Sequence, residues 1–452
     1  MKIAIIGGGF AGLSAAHELL KQGHEVEIFE RAPFLGGQVV TFPLGQTRIE
    51  FAYHHLFTSD TIIQDLMDEL GILHKLDWYP SKVGWFNDGR VYPFISPLDL
   101  LRFKPLQPWN RIRLGLAVLF LQKYENWRKL EQTTATKWMR RWAGRNAYEQ
   151  VWRPLLRGKF GTRHEDVSMA WLWGKIHLRT TSRKSLNKEV LGYPQGSFAV
   201  IIEALEESIR EKGGVIHLGA SVEEILTEPV DSLGPSGSET RLRAVGLRTD
   251  QGEVRFDRVI ATIPSNRFLS IAPPMGEEYE RKLRAGQYQG AICMLLTLKH
   301  QLSETYWMNI GDEGMPFVAL IEQTNFVPRE WYEGKHVLYV SNYLSTDDPY
   351  WAKSQEELLE AYEPYLQRIN PSFSQEWIED CKLFKEPAAQ PIVTPNYSPL
   401  VPELQTPVEN LILANTTQIY PEDRGTNYSV RLGRQAAEAA TRQGTPEAVA
   451  SS

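Results

Sequence analysis

The residues best suited to chemistry begin with two adjacent histidines, His54 and His55, in a polar and aromatic segment. A histidine titrates near neutral pH and can therefore exchange a proton with a bound reactant. Two interpretations stay open: at least one histidine faces the reaction centre, or both are polar residues of a buried loop. Adjacent histidines on a loop do not chelate a metal without further ligands, so we expect no metal site.

A second candidate segment, residues 420–428, lies near the carboxyl end and contains Asp423 and Arg424. It leads into a predicted helix over residues 428–441, whose N-terminal dipole can stabilise negative charge on a nearby ligand. Arg424 is therefore a third candidate catalytic residue, beside the two histidines. The alternative is that Asp423 and Arg424 pair with each other and only shape the turn.

Both segments need a scaffold, and residues 3–37 predict one that holds a dinucleotide. Residues 3–6 form an apolar run typical of a strand buried on both faces. Gly7 permits a tight turn, Gly9 lets the backbone approach a pyrophosphate, and Gly12 lets the next helix lie close to the strand.

The helix after the glycines has its apolar positions at Leu13, Ala16, Leu19 and Leu20, and its N-terminus presents free N–H groups to phosphates. A second strand, residues 26–29, leads to Glu30, whose carboxylate can accept hydrogen bonds from ribose hydroxyls. A glycine run alone is a weak signal. Because strand, helix, second strand and acid all fall at the expected spacing, the sequence predicts dinucleotide binding.

Composition limits the remaining classes of function. The chain has 452 residues, which suits two large domains, and its net charge of −6 gives no reason to expect nucleic acid. Only Cys293 and Cys381 occur, so we expect no disulfide framework and a cytoplasmic location. The nucleotide fold begins at once, so we expect no signal peptide. The longest apolar stretch, residues 114–121, is too short to span a bilayer.

Elements of the nucleotide fold are predicted at the start, in the middle and at the end of the chain. We therefore predict an α/β protein with a discontinuous Rossmann-like domain, interrupted by an inserted α+β substrate domain of helices and an antiparallel sheet. The predicted parts are the dinucleotide-binding segments 1–80, 196–264 and 408–442, the helical cap 81–195, the mixed substrate sheet 265–407 and a disordered tail 443–452.

Four segments carry a family resemblance: residues 30–37, 193–225, 258–264 and 411–440. In this order they resemble the glutathione-reductase-type flavoproteins. Within these, they are similar to the superfamily of FAD-dependent amine oxidases, protoporphyrinogen oxidases and carotenoid (phytoene) desaturases. The resemblance covers nearly the full length and implies FAD, bound non-covalently, as the dinucleotide.

The resemblance also implies which residues contact FAD, with Val222 at the adenine. These residues are Gly7, Gly9, Phe10, Ala11, Gly12, Glu30, Arg31, Gly36, Gly37, Gln38, Ala52, Tyr53, His54, Val222, Asn415, Gly425, Thr426, Asn427 and Tyr428. Two positions depart from the family pattern. Gln38 stands where many relatives have arginine, and Asn415 stands where an acid is usual. We still expect FAD to bind through backbone N–H groups at the N-terminus of the last helix.

Basic and aromatic residues alternate between about residues 100 and 145, where relatives form the mouth of an apolar channel. One interpretation is a helical cap with a buried apolar face and a solvated basic face that includes Arg111 and Arg113. The other is peripheral membrane contact through residues 100–130, on the inner face of the membrane.

The resemblance implies an FAD-dependent oxidoreductase that dehydrogenates a bulky, largely apolar small molecule by hydride transfer to flavin N5. Oxygen, a quinone or another acceptor would then reoxidise the flavin. Amine oxidases carry a lysine near N5. A gapless match to residues 290–294 places Ile292 or Cys293 there, which argues against amine oxidation.

The alternative is a non-redox flavin isomerase that resembles UDP-galactopyranose mutase and acts on a nucleotide sugar. Such a substrate needs arginines that clamp its diphosphate. The candidates are Arg153, Arg157, Arg163 and Arg179.

Overall fold

A computed structural model describes residues 1–181, 189–234 and 237–442. Its α-helices are α1 (Phe10–Lys21), α2 (Thr61–Glu69), α3 (Pro97–Arg102), α4 (Pro108–Lys123), α5 (Trp127–Leu130), α6 (Ala135–Trp142), α7 (Arg145–Ala147), α8 (Arg153–Phe160), α9 (Met169–Thr181), α10 (Ala199–Glu211), α11 (Ser265–Ile271), α12 (Glu277–Ala285), α13 (Pro349–Ala352), α14 (Gln355–Ile369) and α15 (Thr426–Thr441). The predicted helix over residues 428–441 is confirmed as α15. The predicted tail, 443–452, lies outside the described residues.

The strands are β1 (Lys2–Ile6), β2 (Glu25–Glu30), β3 (Thr41–Leu44), β4 (Thr47–Glu50), β5 (Leu76–Pro80), β6 (Val83–Asn87), β7 (Arg90–Pro93), β8 (Val190–Pro194), β9 (Val215–Leu218), β10 (Val222–Gly234), β11 (Gly237–Thr249), β12 (Gly252–Arg255), β13 (Arg258–Ala261), β14 (Tyr288–Leu298), β15 (Trp307–Ile310), β16 (Ala319–Glu322), β17 (His336–Leu344), β18 (Ile378–Pro391) and β19 (Leu411–Leu413). The predicted strands 3–6 and 26–29 are confirmed as β1 and β2.

A five-stranded parallel sheet, in the order β19-β13-β1-β2-β9, forms the centre of the nucleotide fold. Its strands come from three distant parts of the chain. Ile3 and Ile5 of β1 pack toward α1, α10 and α15, whereas Ala4 and Ile6 face the side covered by β10–β12, α11 and α12. A sheet covered on both faces requires apolar residues at consecutive positions, which explains the uninterrupted run in β1. The predicted α/β class is confirmed.

A seven-stranded mixed sheet, in the order β18-β14-β17-β16-β15-β6-β7, forms the second layer of the molecule. Successive residues of β14 point to opposite faces, as the pleat of a strand demands. Ile292 and Met294 pack toward α14, while Cys293 and Leu295 belong to the core shared with the nucleotide fold.

Helices α3–α9 form a cap with its own apolar core. Between α7 and α8 the chain makes a π-helical turn, Tyr148–Trp152, so that residues 145–160 run as one helix with a local widening. The cap lies between β7 and β8 in sequence, where the first inserted piece is predicted. The boundaries of the six predicted parts stay a prediction.

Candidate flavin site and substrate cavity

Two glycine turns meet at the carboxyl end of β1. The Gly36 N–H donates to the Gly8 carbonyl oxygen at 2.9 Å, and a Cβ on Gly37 would lie 3.2 Å from the Gly9 Cα. A Cβ on Gly12 would overlap the Gly7 carbonyl oxygen, so α1 can approach β1 this closely only with glycine there. Gly9 is the N-cap of α1, and among the described residues, its two chain neighbours aside, only the Gly37 Cα lies within 4 Å of a Cβ built on it. This open, backbone-lined cradle fits a pyrophosphate.

The other predicted contacts of the adenosine half lie around this cradle. Glu30 accepts hydrogen bonds from the Gly8 N–H (2.7 Å) and the Ala32 N–H (2.8 Å). Phe10 is buried, Arg31 is exposed, and Val222 is buried in the layer formed by β10–β12. Their contacts with FAD, like that of Ala11 in the first turn of α1, stay predictions.

A cavity of about 610 Å³ brings the other half of the predicted site together. It lies between the end of the nucleotide fold, the seven-stranded sheet and the cap. The predicted site residues that line it are Gln38, Ala52, Tyr53, His54, His55, Arg424, Gly425, Thr426, Asn427 and Tyr428. The glycine turns, Glu30, Arg31, Val222 and Asn415 lie outside it.

His54 is neutral in this site. Its Nδ1 lies 2.7 Å from the Ala52 carbonyl oxygen, so the proton is on Nδ1 and Nε2 is an acceptor. Burial lowers the pKa of His54 to about 4, and the nearby Arg424 adds to the effect. The expectation of a histidine that titrates near neutrality is therefore wrong for His54. His55 lines the same cavity, with its Nδ1 3.1 Å from the Tyr306 hydroxyl.

Asp423 and Arg424 do not form the pair with each other that one of the two open interpretations of this segment gave them. Arg424 donates to the Gln38 side-chain oxygen and to the Tyr343 hydroxyl, at 3.1 Å each. Gln38 in turn donates to the Ala388 carbonyl oxygen at 2.9 Å. The amide that replaces the family's arginine is thus held by the protein, and a cation reaches the same place from the terminal loop.

The Asp423 carboxylate instead meets two lysines of the cap, Lys159 at 2.9 Å and Lys175 at 2.7 Å. Burial alone would raise the pKa of Asp423, but Lys159, Lys175 and Arg424 together hold it well below its usual range. Both lysines line the cavity. Sequence reasoning missed them because they stand more than 240 residues before Asp423, and no local spacing marks them.

Asn415 has its side chain engaged within the protein rather than presented to the cavity. Its oxygen accepts from the Thr417 N–H and hydroxyl, and its amide donates to the Ile263 carbonyl oxygen and the Ser265 hydroxyl. The position that is acidic in relatives therefore caps a short turn here. A direct contact between this side chain and FAD finds no support.

The two candidates for the amine-oxidase lysine position are separated by the pleat of β14. Cys293 lines the cavity, whereas Ile292 packs in the core beneath α14. Burial raises the pKa of the Cys293 thiol to about 12, so the thiol stays protonated. Neither side chain can hold a water as an ammonium group does.

Of the arginines named for a diphosphate clamp, the three whose side chains the structure describes do not gather at the cavity. Arg153 pairs with Glu149 and Glu313 on the cap surface, and Arg163 pairs with Asp166. Arg157 is exposed. None of these three lines the cavity. The side chain of Arg179 lies outside the described residues.

The cap end of the cavity reaches α3 and α4 at Leu100, Leu114, Val118 and Leu119. Helix α4 carries apolar residues on two faces. One face is buried in the cap, and the other forms an exposed apolar stripe, spaced by three or four residues, that consists of Trp109, Ile112, Leu116, Leu119 and Phe120.

The predicted solvated basic face differs from the structure at two arginines. Arg111 donates to the Leu101 carbonyl oxygen at 2.7 Å, and Arg113 donates to the Trp142 carbonyl oxygen at 2.7 Å. Both guanidinium groups thus satisfy carbonyls near the ends of α3 and α6, where a cation is favourable. Among the described residues, none of the helices combines the length and the hydropathy that spanning a lipid bilayer requires.

Comparison with known proteins agrees with this fold. Zeta-carotene desaturase of Zea mays is 23% identical over 462 residues, which cover 92% of this chain and 79% of the desaturase. The structure of a provisionally named protoporphyrinogen oxidase from Exiguobacterium sp. 255-15 superposes with a TM-score of 0.75 at 18% identity, over 97% of this chain and 98% of that one. Reduced UDP-galactopyranose mutase gives 0.70 at 16% identity, over 97% and 93%.

The family model described as flavin containing amine oxidoreductase matches residues 10–441, nearly the whole chain. The match includes α1, both lysines of the cavity and α15. Together with the glycine cradle, it decides which dinucleotide the fold holds. The protein therefore belongs to the flavin-containing amine oxidoreductase family and is an FAD-dependent oxidoreductase that acts on a small molecule.

Proposed function

We propose that this enzyme dehydrogenates a bulky, largely apolar substrate. The observation that carries the proposal is the lining of the cavity. From the predicted flavin contacts outward, its walls are apolar side chains of the cap and the facing sheet, among them Leu156, Leu172, Ile176, Ile310 and Val318. Such walls bind a substrate through the area it removes from water and give it few polar anchors.

FAD, when bound, supplies an acceptor for a hydride at N5. The residues of the chain bind and orient the substrate and keep water out. Trp152 and Trp171 provide large flat walls, and His54 presents an unprotonated Nε2 that can accept a hydrogen bond or hold a proton. Because its pKa is about 4, His54 passes such a proton on rather than keeping it at neutral pH.

We also propose that the protein contacts a membrane surface through α3, α4 and α6. Large apolar side chains are exposed there, with Trp109 at 71% and Leu116 at 63%. An exposed apolar stripe flanked by lysines and arginines is typical of a helix that lies in a membrane interface. The cavity reaches two of these helices, α3 and α4, so an apolar substrate can enter it from lipid.

The dehydrogenase proposal is tested by mixing the FAD-loaded protein, without oxygen, with zeta-carotene in vesicles or with a porphyrinogen. We expect the visible flavin absorption to bleach. Val118→Trp, which narrows the cavity, should abolish bleaching by these substrates while reduction by dithionite persists. Val215→Trp, at an exposed edge strand, is the matched control. If only the reduced protein acts, converting UDP-galactopyranose without net redox change, the isomerase function is correct instead.

Membrane contact is tested by flotation with anionic vesicles. Trp109→Ser combined with Leu116→Ser should release most of the protein from the vesicles. Val215→Ser with Leu218→Ser, a pair of exposed apolar residues on β9, should leave binding unchanged. Equal binding of all three proteins would refute the contact. Arg111 and Arg113 are unsuitable probes because they hold the cap together.

A further inference from the structure

We propose that Asp423 is a positioning residue that holds Lys159 and Lys175 beside the flavin, where the two ammonium groups stabilise the negative charge of the reduced ring. The inference rests on the redox function proposed above and adds the residues that set the reduction potential. Neither lysine was recognisable from the sequence. Both come from the inserted cap and not from the nucleotide fold.

The Asp423 carboxylate is only 4% exposed and has four donors. One oxygen accepts from Lys159 at 2.9 Å and from Lys175 at 2.7 Å. The other accepts from the Trp171 indole at 3.2 Å and the Gln390 amide at 3.1 Å. Both oxygens are therefore saturated, which fixes the carboxylate and, through it, the two ammonium groups.

The four donors come from three elements, α8, α9 and β18, and they converge on the loop before α15. The loop also touches α9 directly, since a Cβ on Gly174 would lie 2.7 Å from the Pro421 carbonyl oxygen. This loop therefore has a fixed position relative to the cap. One carboxylate joins the cap, the substrate sheet and the last segment of the nucleotide fold.

The lysines share their cavity wall with the predicted flavin contacts. Lys159 Nζ lies 5.6 Å from the centre of the Tyr343 ring, whose hydroxyl accepts from Arg424. Arg424 also holds Gln38, the residue after the second glycine pair, and Gly425 is the N-cap of α15. Positive charge from three side chains and a helix N-terminus thus surrounds one end of the cavity.

Two ammonium groups held this close together need a negatively charged counter-ion. Lys159 and Lys175 bond to the same oxygen, so their ammonium groups are close neighbours whose repulsion the Asp423 carboxylate offsets. The other charged or titratable groups that line the cavity are Tyr53, His54, His55, Asp60, Cys293, Tyr343, Glu386, Arg424 and Tyr428. Burial raises the pKa of Asp60 to about 6, although Lys175 opposes the shift, so Asp60 is only a partial second counter-ion near pH 6.

The test is the midpoint potential of the bound flavin, measured between about pH 6 and pH 9 on FAD-loaded protein. Lys159→Met and Lys175→Met should each make reduction at least tenfold less favourable, about 30 mV for a two-electron couple. Glu313→Gln removes an exposed carboxylate that pairs with Arg153 at the start of α8, and it should leave the potential unchanged.

Asp423→Asn gives the second measurement. A lysine that loses this carboxylate should release its proton within the measured range, so the potential acquires an extra pH-dependent step that the wild type lacks. Asp423→Asn combined with Lys175→Met removes the repelling neighbour and should abolish the step. If Asp423 only packed against its neighbours, Asp423→Asn would add no pH-dependent step to the potential, and the second substitution would have no step to abolish.

Two outcomes would overturn the inference. In the first, both lysine variants have the same midpoint potential as Glu313→Gln but bind the substrate more weakly. The two lysines would then act on the substrate and not on the flavin. The second outcome is an Asp423→Asn protein that keeps its flavin spectrum and the wild-type pH profile. Should Asp423→Asn not retain FAD, Lys159→Gln and Lys175→Gln decide the question alone. Shifted potentials in a protein that oxidises no apolar probe would refute only the proposed substrate class.

Discussion

Glu50 is a fully buried carboxylate just before the predicted flavin contacts Ala52, Tyr53 and His54. It is 0% exposed, and it accepts from the Tyr193 hydroxyl and the Phe198 N–H at 2.7 Å each. Its own carbonyl oxygen accepts from the Tyr339 hydroxyl at 2.7 Å. The network fixes the chain directly before Ala52 and His54, and burial raises the pKa of Glu50 to about 7.

Glu50→Gln should change how stability depends on pH. The folded-state pKa lies above the unfolded value of 4.5. The protonated carboxyl therefore makes its full contribution to the free energy of unfolding below pH 4.5, and this contribution is lost as pH rises to about 7. Across this window the free energy of unfolding of the wild type should fall by about 3 kcal/mol relative to that of Glu50→Gln. Denaturant titrations at both ends of the window measure the difference. Glu333→Gln, on the surface, should follow the wild type, and a Glu50→Gln profile parallel to it would contradict the expectation.

For single residues, the sequence predicted location at the cavity better than protonation state or bonding partners. His54, Arg424 and Gly425 lie at the cavity as the motifs indicated. The neutrality of His54 could not be predicted, because it follows from burial and from Arg424, which is remote in sequence. For the same reason the partners of Asp423 could not be predicted: adjacency along the chain offered Arg424 as one of two open interpretations, and the fold brings two cap lysines instead.

Helices α1 and α15 cross at a contact that only glycine allows. A Cβ on Gly433 would overlap the Ala11 carbonyl oxygen and would lie 2.9 Å from the Ser14 Cβ. Both helices direct their N-termini at the predicted FAD contacts, Gly9 for α1 and Gly425 for α15. Their spacing therefore sets the distance between the pyrophosphate cradle and the flavin end.

Gly433→Ala should force the two helices apart, at a cost of about 1–3 kcal/mol, as overpacking does. FAD affinity should fall with it. Gly115→Ala is the matched control, since Gly115 also lies inside a helix but a Cβ there meets only the Leu100 side chain at 3.8 Å. It should stabilise the protein by about 0.5–1 kcal/mol, because alanine is the better helix former. Thermal unfolding with and without FAD measures both, and equal shifts in the two variants would argue against the close contact.

At the scale of elements, local patterns predicted β1, α1, β2 and α15 because each carries its own apolar period and glycine signals. The role of helix α4 was harder to predict. Because α4 is apolar on two faces and has no single periodic stripe, the sequence could not decide whether it forms part of a cap or lies on a membrane surface. Which stripe is covered depends on α6 and α9, whose placement is a property of the fold.

The whole molecule closes around one parallel sheet assembled from distant segments. Strands β1 and β2 come from the start of the chain, β9 and β13 from its middle, and β19 from near its end. The cap and the seven-stranded sheet are inserted between them, and Asp423 ties the cap to the last segment. A ligand held by both α1 and α15 therefore bridges parts of the chain that are more than 400 residues apart.

FAD should accordingly stabilise the two ends of the chain together. With free FAD at 1,000 times its Kd, the free energy of unfolding should rise by about 4 kcal/mol. Amide hydrogen exchange should slow by the same factor in α1 as in α15, because neither helix alone forms a complete FAD site. Riboflavin, which lacks the pyrophosphate and adenosine, should give much less protection at α1. Protection confined to α1 while α15 exchanges as in the FAD-free protein would mean that the terminal helix does not hold the cofactor.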